Sequence, residues 1–152
     1  MADALRIEVA GDAHLAQWLP LRAALWPDTP LAAHRAEARA LLRDANAVAF
    51  LALADGTAGF AEGSVRRDYV NGSESPPGTP VAYLEGLYVV PAQRRRGVAR
   101  ALVAAVADWG RARGCIELAS DTQLDNLDSQ AVHTALGFAE TARAVFYRRT
   151  LR

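Results

Sequence analysis

The sequence predicts an α/β domain, and three observations lead to that fold class. The chain has 152 residues, 51% of them hydrophobic, which suits one domain with a sizeable core. Two apolar runs, 81–90 and 115–120, are typical of buried strands. Between them, apolar residues recur at helical spacing from Val98 to Trp109. A strand, a helix and a strand in this order predict a parallel pair joined by a right-handed crossover.

Patterning places the other elements around this unit. Further strands are expected at residues 5–9, 48–54, 58–66, 138–142 and 145–150. Further helices are expected at 15–26 and 31–43, and Pro20 inside the first of them predicts a kink or a late helix start. Asp55-Gly56 is a typical hairpin turn. Nothing indicates a repeat or a second domain, so we expect one domain over residues 1–152.

The overall charge argues against binding of nucleic acid through its phosphates. Seventeen basic residues balance 17 acidic residues, whereas such binders usually carry a basic excess. No apolar run reaches the roughly 18 residues of a membrane span, and the N-terminus lacks a secretory pattern. The single cysteine, Cys115, excludes an internal disulfide and is expected to be an inert core thiol. We therefore expect a soluble cytoplasmic protein without nucleic-acid or membrane partners.

The segment before the central helix is suited to holding an anion. Three arginines precede Gly97, and the helix that starts near Val98 leaves its first amide groups unpaired at the positive end of the helix dipole. Gly97 allows a ligand to approach the backbone closely, and arginine forks match phosphate oxygens. On these residues alone, the pattern predicts either a phosphate site or a solvated basic helix start.

Two motifs resemble those of the GCN5-related N-acetyltransferases. Arg94-x-x-Gly97-x-Ala99, after the strand end Leu87-Tyr88-Val89, is similar to the acetyl-coenzyme A signature of that family. The family's downstream motif is matched by Asn126, Ser129, His133 and Gly137-Phe138. The resemblance implies the fold of that family, in which helices flank a mixed central sheet with a splayed parallel strand pair.

The same resemblance implies acetyl-coenzyme A as co-substrate, with no metal. The residues that it assigns to cofactor binding are Leu87, Tyr88, Val89, Arg94, Arg95, Arg96, Gly97, Val98, Ala99, Arg100 and Asn126. In members of the family, the splayed edge of the central strand pairs with the pantetheine amides. Residues 87–89 would present that edge here, and an amide there could also bind the thioester oxygen as charge develops on it.

Further stretches resemble the aminoglycoside 6′-N-acetyltransferases over nearly the whole chain. They are Leu25-Trp26-Pro27, 68–72, Leu84-Glu85-Gly86, 119–122 and Glu140-Thr141. This implies transfer of an acetyl group to the 6′-amine of an aminoglycoside antibiotic, which confers resistance, in a homodimer with exchanged C-terminal strands. The alternatives are acetylation of a polyamine or other small amine, and a non-catalytic module that binds acyl-coenzyme A.

Two carboxylates are candidates for the chemistry. An alkyl ammonium must lose a proton before it attacks a thioester, and Glu85 is the candidate base. Strand alternation predicts that Glu85 and Leu87 point to the same face. Asp121 follows the neighbouring strand at its C-terminal end, where ligands of open α/β sheets collect, and is the candidate for binding a substrate ammonium. The structural alternatives are a salt-bridged core glutamate and a helix-capping aspartate.

Aromatic residues complete the predicted substrate site. Trp26 is a core residue by position alone, but the resemblance assigns it to the sugar site together with Tyr69. The Gly- and Pro-rich loop 71–80 is either a substrate rim or a floppy hairpin tip. The relatives carry a glutamate where this chain has Ala142, which weakens the substrate assignment or alters the substrate range.

His133 occupies the position at which many family members place a tyrosine near the departing thiolate. The resemblance therefore implies that His133 protonates the coenzyme A sulfur or bridges a water. A histidine that packs between helices is the alternative. His14, His34 and His133 are too scattered along the chain to indicate a zinc site.

Overall fold

A mixed sheet forms the centre of the fold, which confirms the predicted α/β class. The computed structural model describes residues 3–152, and within them the sheet has five strands in the order β1-β2-β3-β4-β5. The strands are β1 Arg6–Val9, β2 Ala47–Leu53, β3 Thr57–Arg66, β4 Val81–Val89 and β5 Leu118–Ser120. Neighbours are antiparallel except β4 and β5, which are parallel as the strand–helix–strand pattern predicts.

Helices cover both faces of the sheet. They are α1 Leu15–Leu25, α2 Leu31–Arg43, α3 Val98–Arg111 and α4 Leu127–Ala135. The bounds of α2 match the prediction, whereas α1 runs through Pro20, so the alternative of a late helix start is wrong. None of the helices within residues 3–152 is both long and apolar enough to span a membrane.

The sheet separates two apolar clusters. On one face, Leu102 and Val106 of α3 pack against β2, β3 and β4. A Cβ atom on Gly63 of β3 would lie 2.7 Å from Val106, so the glycine is what lets α3 approach the strand this closely. On the other face, α1 and α2 cover Leu51 and Phe60. Cys115 is buried beside β4, as expected of an inert core thiol.

The C-terminal segment does not join the sheet. The two closing strands predicted at 138–142 and 145–150 are wrong for the described chain, in which both segments lie outside regular structure. Phe146 and Tyr147 are 87% and 92% exposed. Their β-rich composition predicts a strand, but a strand also needs a neighbour for its amides and carbonyls, and no strand of the sheet pairs with this segment.

The loop at 71–80 is fastened to the sheet by a single carboxylate. Glu117, just before β5, accepts hydrogen bonds from the Ser73 hydroxyl, from Ser75 Oγ at 2.7 Å and from the Glu74 amide at 3.0 Å. At the start of the loop, Val70 packs against Tyr83 of β4. These contacts favour the interpretation of the loop as a rim with a defined position over that of a floppy hairpin tip.

Acid should weaken the hydrogen bonds between this loop and Glu117. The donated hydrogen bonds, led by that of Ser73, lower the pKa of Glu117 from 4.5 to about 2. A lowered carboxyl pKa stabilises the fold above pH 4.5, and this contribution is lost as the pH falls from 4.5 towards 2. Glu117→Gln should lower the melting temperature at pH 7 by about 2–4 °C. The difference between variant and wild type should shrink over that acid range.

Thermal unfolding followed by circular dichroism between pH 7 and 2.5 measures this difference. Glu74→Gln is the matched control, since only the backbone amide of that residue takes part in the contact. An equal pH dependence of the wild type and Glu117→Gln would contradict the assignment.

Candidate active site

The parallel strands β4 and β5 separate soon after they meet. Their pairing covers three residues on each strand and ends at Leu84 opposite Ser120. Strand β4 continues to Val89 and is paired only with β3 over this last part. The other edge of Leu87, Tyr88 and Val89 is therefore open, which matches the splayed pair that the resemblance implies. An open edge offers backbone groups to an extended ligand.

The loop between β4 and α3 adopts a conformation that suits an anion. Arg95 and Gly97 both have left-handed backbones, with φ of 62° and 80°. Turns of this kind direct successive backbone amides toward a common concavity, and such concavities bind anions. Gly97 precedes the first residue of α3, so the unpaired amides of the first helical turn open onto the same loop. No atom lies within 4 Å of a Cβ built on Gly97, so the positive φ rather than crowding requires glycine.

The arginines of this region have different partners. Arg94 Nε donates to the carbonyl of Val89 at 3.0 Å, so this side chain braces the open edge of β4. Arg100 donates to the carbonyl of Ala135 at 3.1 Å and ties α3 to the end of α4. Among the described residues, Arg95 and Arg96 make neither an ion pair nor a side-chain hydrogen bond within the chain, which leaves both guanidinium groups to meet an anion.

A β-bulge places Glu85. Glu62 of β3 pairs with Gly86 and Gly63 pairs with Leu84, so Glu85 is the extra residue on β4. The prediction that Glu85 and Leu87 share a face is wrong for this reason. Leu84 and Leu87 both pack on the α3 side, whereas the Glu85 carboxylate lies on the opposite side of the sheet.

Glu85 is held by β3. Glu85 Oε1 accepts from Ser64 Oγ at 2.6 Å and from Arg66 Nη2 at 2.8 Å, and Oε2 accepts from the same Nη2 at 2.9 Å. The guanidinium of Arg66 also lies over the ring of Tyr83, 3.5 Å from its centroid. The salt bridge foreseen for Glu85 is thus present, but at the surface of the sheet rather than in the core, since a third of its side chain is exposed (33%).

Asp121 approaches the same aromatic ring from the other strand. It follows Ser120, the last residue of β5, and is exposed. Burial and the negative charge of Asp121, with a smaller effect of Glu85, raise the pKa of the Tyr83 hydroxyl, whereas Arg66 opposes the shift. Two carboxylates, one arginine and one tyrosine therefore meet on one face of β4 and β5. Asp121 does not cap a helix, because the N-cap of α4 is Asn126.

Trp26 lies beside this cluster. It follows α1, and its indole rests on the backbone of Gly86, where a Cβ atom would be only 2.6 Å away. The buried imidazole of His34 stacks on the indole at 6.4 Å and donates through Nε2 to the Trp26 carbonyl at 3.1 Å. Trp26 is therefore both a packed residue and a wall of the cleft next to Glu85.

Below Trp26 lies an ionic network, buried except at Glu37, that the sequence did not predict. Arg22 pairs with Glu62 and Glu37, and its guanidinium lies 4.8 Å from the centroid of the Trp26 ring. Burial raises the pKa of Glu62 despite the charge of Arg22 and the hydrogen bonds from Arg22 and Trp18. The available signal was an arginine among the apolar positions of α1.

Asn126 and Tyr69, which were also predicted for the site, have different surroundings. Asn126 accepts from the Ser129 amide at 3.1 Å as the N-cap of α4, so it has a clear structural role. Tyr69 is 87% exposed at the start of the rim loop. Within residues 3–152, no three His, Cys, Asp or Glu side chains are grouped as metal ligands.

His133 is oriented by two hydrogen bonds. Its Nδ1 lies 2.7 Å from the Ser129 carbonyl, which can only accept, so Nδ1 carries the proton. Its Nε2 lies 2.8 Å from the hydroxyl of Ser120, which stands where β4 and β5 separate. The ring also packs edge-on against Phe138 at 5.2 Å. Ser120 was missed by the sequence reasoning, although a polar residue that ends an apolar strand was a usable signal.

Comparison with known proteins identifies the fold. Residues 14–138 match the model of the acetyltransferase (GNAT) family. A structure of AAC(6′)-Iy in complex with the bisubstrate analogue CoA-S-monomethyl-acetylneamine superposes with a TM-score of 0.90 at 47% identity, over 98% of this chain and all of that chain. AAC(6′)-Ih from Acinetobacter baumannii superposes with a TM-score of 0.91 at 40% identity, over the same shares of each chain.

Curated sequences agree with this result. The aminoglycoside N(6′)-acetyltransferase type 1 of Serratia marcescens is 53% identical over 91% of this chain and 94% of its own length. The enzyme of the same name from Stenotrophomonas maltophilia is 48% identical over 99% of this chain and 97% of its own length. The chain therefore belongs to the acetyltransferase (GNAT) family and, within it, to the aminoglycoside 6′-N-acetyltransferases.

Proposed function

We propose that the chain transfers the acetyl group of acetyl-coenzyme A to the 6′-amino group of an aminoglycoside, and thereby confers resistance to it. The observation that carries this proposal is the meeting of Glu85, Asp121 and an aromatic ring beside an open strand edge. Aminoglycosides are polycations, which bind carboxylates and aromatic faces. The relatives named above support the choice of substrate.

The co-substrate fits the open side of the sheet. The left-handed loop at Arg95 and Gly97, with the first turn of α3, suits a pyrophosphate. The open edge at residues 87–89 suits the two amides of a pantetheine arm. Held by this edge and by the loop, the cofactor would have its thioester near the point where β4 and β5 separate. Acetyl-coenzyme A supplies an activated acetyl group there, and the protein supplies its position.

The chemistry that these residues support is direct attack of an amine on the thioester. A bond forms between the amine nitrogen and the carbonyl carbon, the carbon–sulfur bond breaks, and the nitrogen gives up a proton. We assign acceptance of that proton to Glu85, directly or through one water. Asp121 is assigned to a second ammonium group of the substrate, and Trp26 and Tyr69 to its sugar rings. An amide of β4 near Leu87 would stabilise the oxyanion.

The leaving thiolate needs a proton, which we assign to His133. Its Nε2 and the Ser120 hydroxyl form a chain that ends at the separation of the two strands. With Nδ1 donating to Ser129, the imidazolium form carries a second proton on Nε2; the Ser120 hydroxyl gives its own proton to sulfur and takes that proton from Nε2, which leaves a neutral imidazole.

We further propose that the enzyme acts as a cytoplasmic homodimer that exchanges its C-terminal segments. The outer edge of β5 is unpaired among the described strands, and the exposed side chains after residue 144 include Val145, Phe146 and Tyr147. A cavity of about 320 Å³ lies beside β5, between α3 and residues 136–138. Light scattering measures the assembly, and a monomeric mass would contradict this proposal.

The substrate assignment predicts a requirement for the 6′-amine. Release of free coenzyme A thiol should be rapid with kanamycin, and undetectable with a compound of the same class that carries a hydroxyl at this position. Spermidine tests the alternative of a polyamine substrate. Turnover of spermidine without turnover of kanamycin would favour the alternative, and Ala142 is the departure from the relatives that would then be relevant.

The loop assignment predicts opposite outcomes for two similar substitutions. Gly97→Asp should weaken binding of acetyl-coenzyme A by about 10- to 150-fold, since it places a negative charge where the pyrophosphate meets backbone amides. Gly97→Asn should lose much less affinity, because asparagine tolerates a left-handed backbone and carries no charge. Calorimetry on both folded variants provides the measurement, and wild-type affinity in the aspartate variant would refute the site.

The assignment of His133 predicts a loss confined to turnover. His133→Phe should lower kcat by roughly 10²–10⁴-fold with little change in either KM, because the leaving thiolate loses its proton donor. Steady-state kinetics, paired with a melting curve, separates this role from packing. A lower melting temperature with a normal kcat would mean that His133 only packs against Phe138.

A further inference from the structure

We infer that Arg66 is a resident counter-ion of the substrate site, which a cationic substrate must displace from Glu85 and from the ring of Tyr83. This inference rests on the proposed function, because it concerns how an aminoglycoside enters that site. It assigns to Arg66 a role in setting affinity, whereas the carboxylates attract the substrate.

Arg66 coordinates the Glu85 carboxylate closely. Three hydrogen bonds join Arg66 to Glu85, with Nη2 at 2.8 and 2.9 Å from the two carboxylate oxygens and Nε at 3.2 Å from Oε1. Ser64 adds a fourth bond, to Oε1. A carboxylate offers about four lone-pair sites, so the guanidinium and the hydroxyl together take most of the capacity of Glu85.

Arg66 also covers one face of an aromatic ring. The Arg66 guanidinium lies 3.5 Å from the centroid of the Tyr83 ring, which is van der Waals contact. A substrate cation seeks the same two features, a carboxylate and an aromatic face. Arg66 therefore fills both of the positions that an ammonium group next to Asp121 would take.

The position of Arg66 allows its side chain to leave. It is the last residue of β3, its side chain is 43% exposed, and the chain after it runs in a loop. Ion pairs at this exposure are held weakly, since water and salt compete for both partners. A polycation that brings several ammonium groups can therefore replace it at Glu85, while the long side chain turns out to solvent.

Charge counting gives the direction of the effect. With Arg66 in place, the two carboxylates and one guanidinium leave one net negative charge around Tyr83. Arg66→Gln leaves two and uncovers the ring. Kanamycin should bind this variant about 10-fold more tightly at low salt, and its KM should fall while that of acetyl-coenzyme A stays unchanged. Arg66→Lys keeps the charge without the planar fork, so its affinity should lie between the two.

Calorimetric titration of kanamycin into the enzyme with bound coenzyme A tests the inference. Arg67→Gln is the matched control: it removes the same charge one residue away, and Arg67 makes no ion pair within the described chain, so its affinity should rise much less than that of Arg66→Gln. If wild type binds kanamycin and Arg66→Gln binds it equally or more weakly, the inference is overturned while the proposed function stands. Arg66 would then be a residue that positions Glu85. Absence of kanamycin binding by wild type would overturn the proposed function and this inference with it.

Discussion

One extra residue in β4 is the constraint on which the site depends. Because Glu85 has no partner in β3, the alternation of side chains between the two faces of β4 is interrupted at that point. Leu84 and Leu87 can then both enter the core under α3, while Glu85 and Gly86 face the side of α1. Without the bulge, the side chains of β4 would alternate regularly. Either the Glu85 carboxylate would then be buried under α3, or Leu84 or Leu87 would leave that core. The bulge therefore separates the face that carries Glu85 from the core that holds the sheet together.

The charges around the cleft fall into two layers with different physical roles. In the buried layer, Arg22 pairs with Glu62 although its Nε has no partner, and its guanidinium packs against the indole of Trp26. Breaking such a pair leaves a buried charge without a partner, which is costly. In the exposed layer, Arg66 and Glu85 form a pair that water can replace. Rigid support beneath an exchangeable surface suits a site that must accept and release a charged ligand.

Much of this arrangement was predictable because it is local in the chain. Periodicity and turn residues located all five strands of the sheet and α1 to α3, and the alternation of strand, helix and strand predicted the parallel pair. The anion loop was readable for the same reason, since Gly97 and the start of α3 are neighbours in sequence. The contacts of Arg66, Arg22 and Ser120 could not be predicted from the sequence, because their partners lie 19, 40 and 13 residues away along the chain.

The sequence by itself determined the α/β class and the candidates Glu85 and Asp121, since these follow from strand and helix patterns that are local in the chain. The resemblance to a known family added the acetyl-coenzyme A motif and the candidate His133. Only the tertiary structure decided which face Glu85 occupies and which cation holds it. The reason is that strand register depends on the neighbouring strand and not on the strand's own residues. The C-terminal segment shows the same limit: its composition favours a strand, but only a pairing partner can make it one.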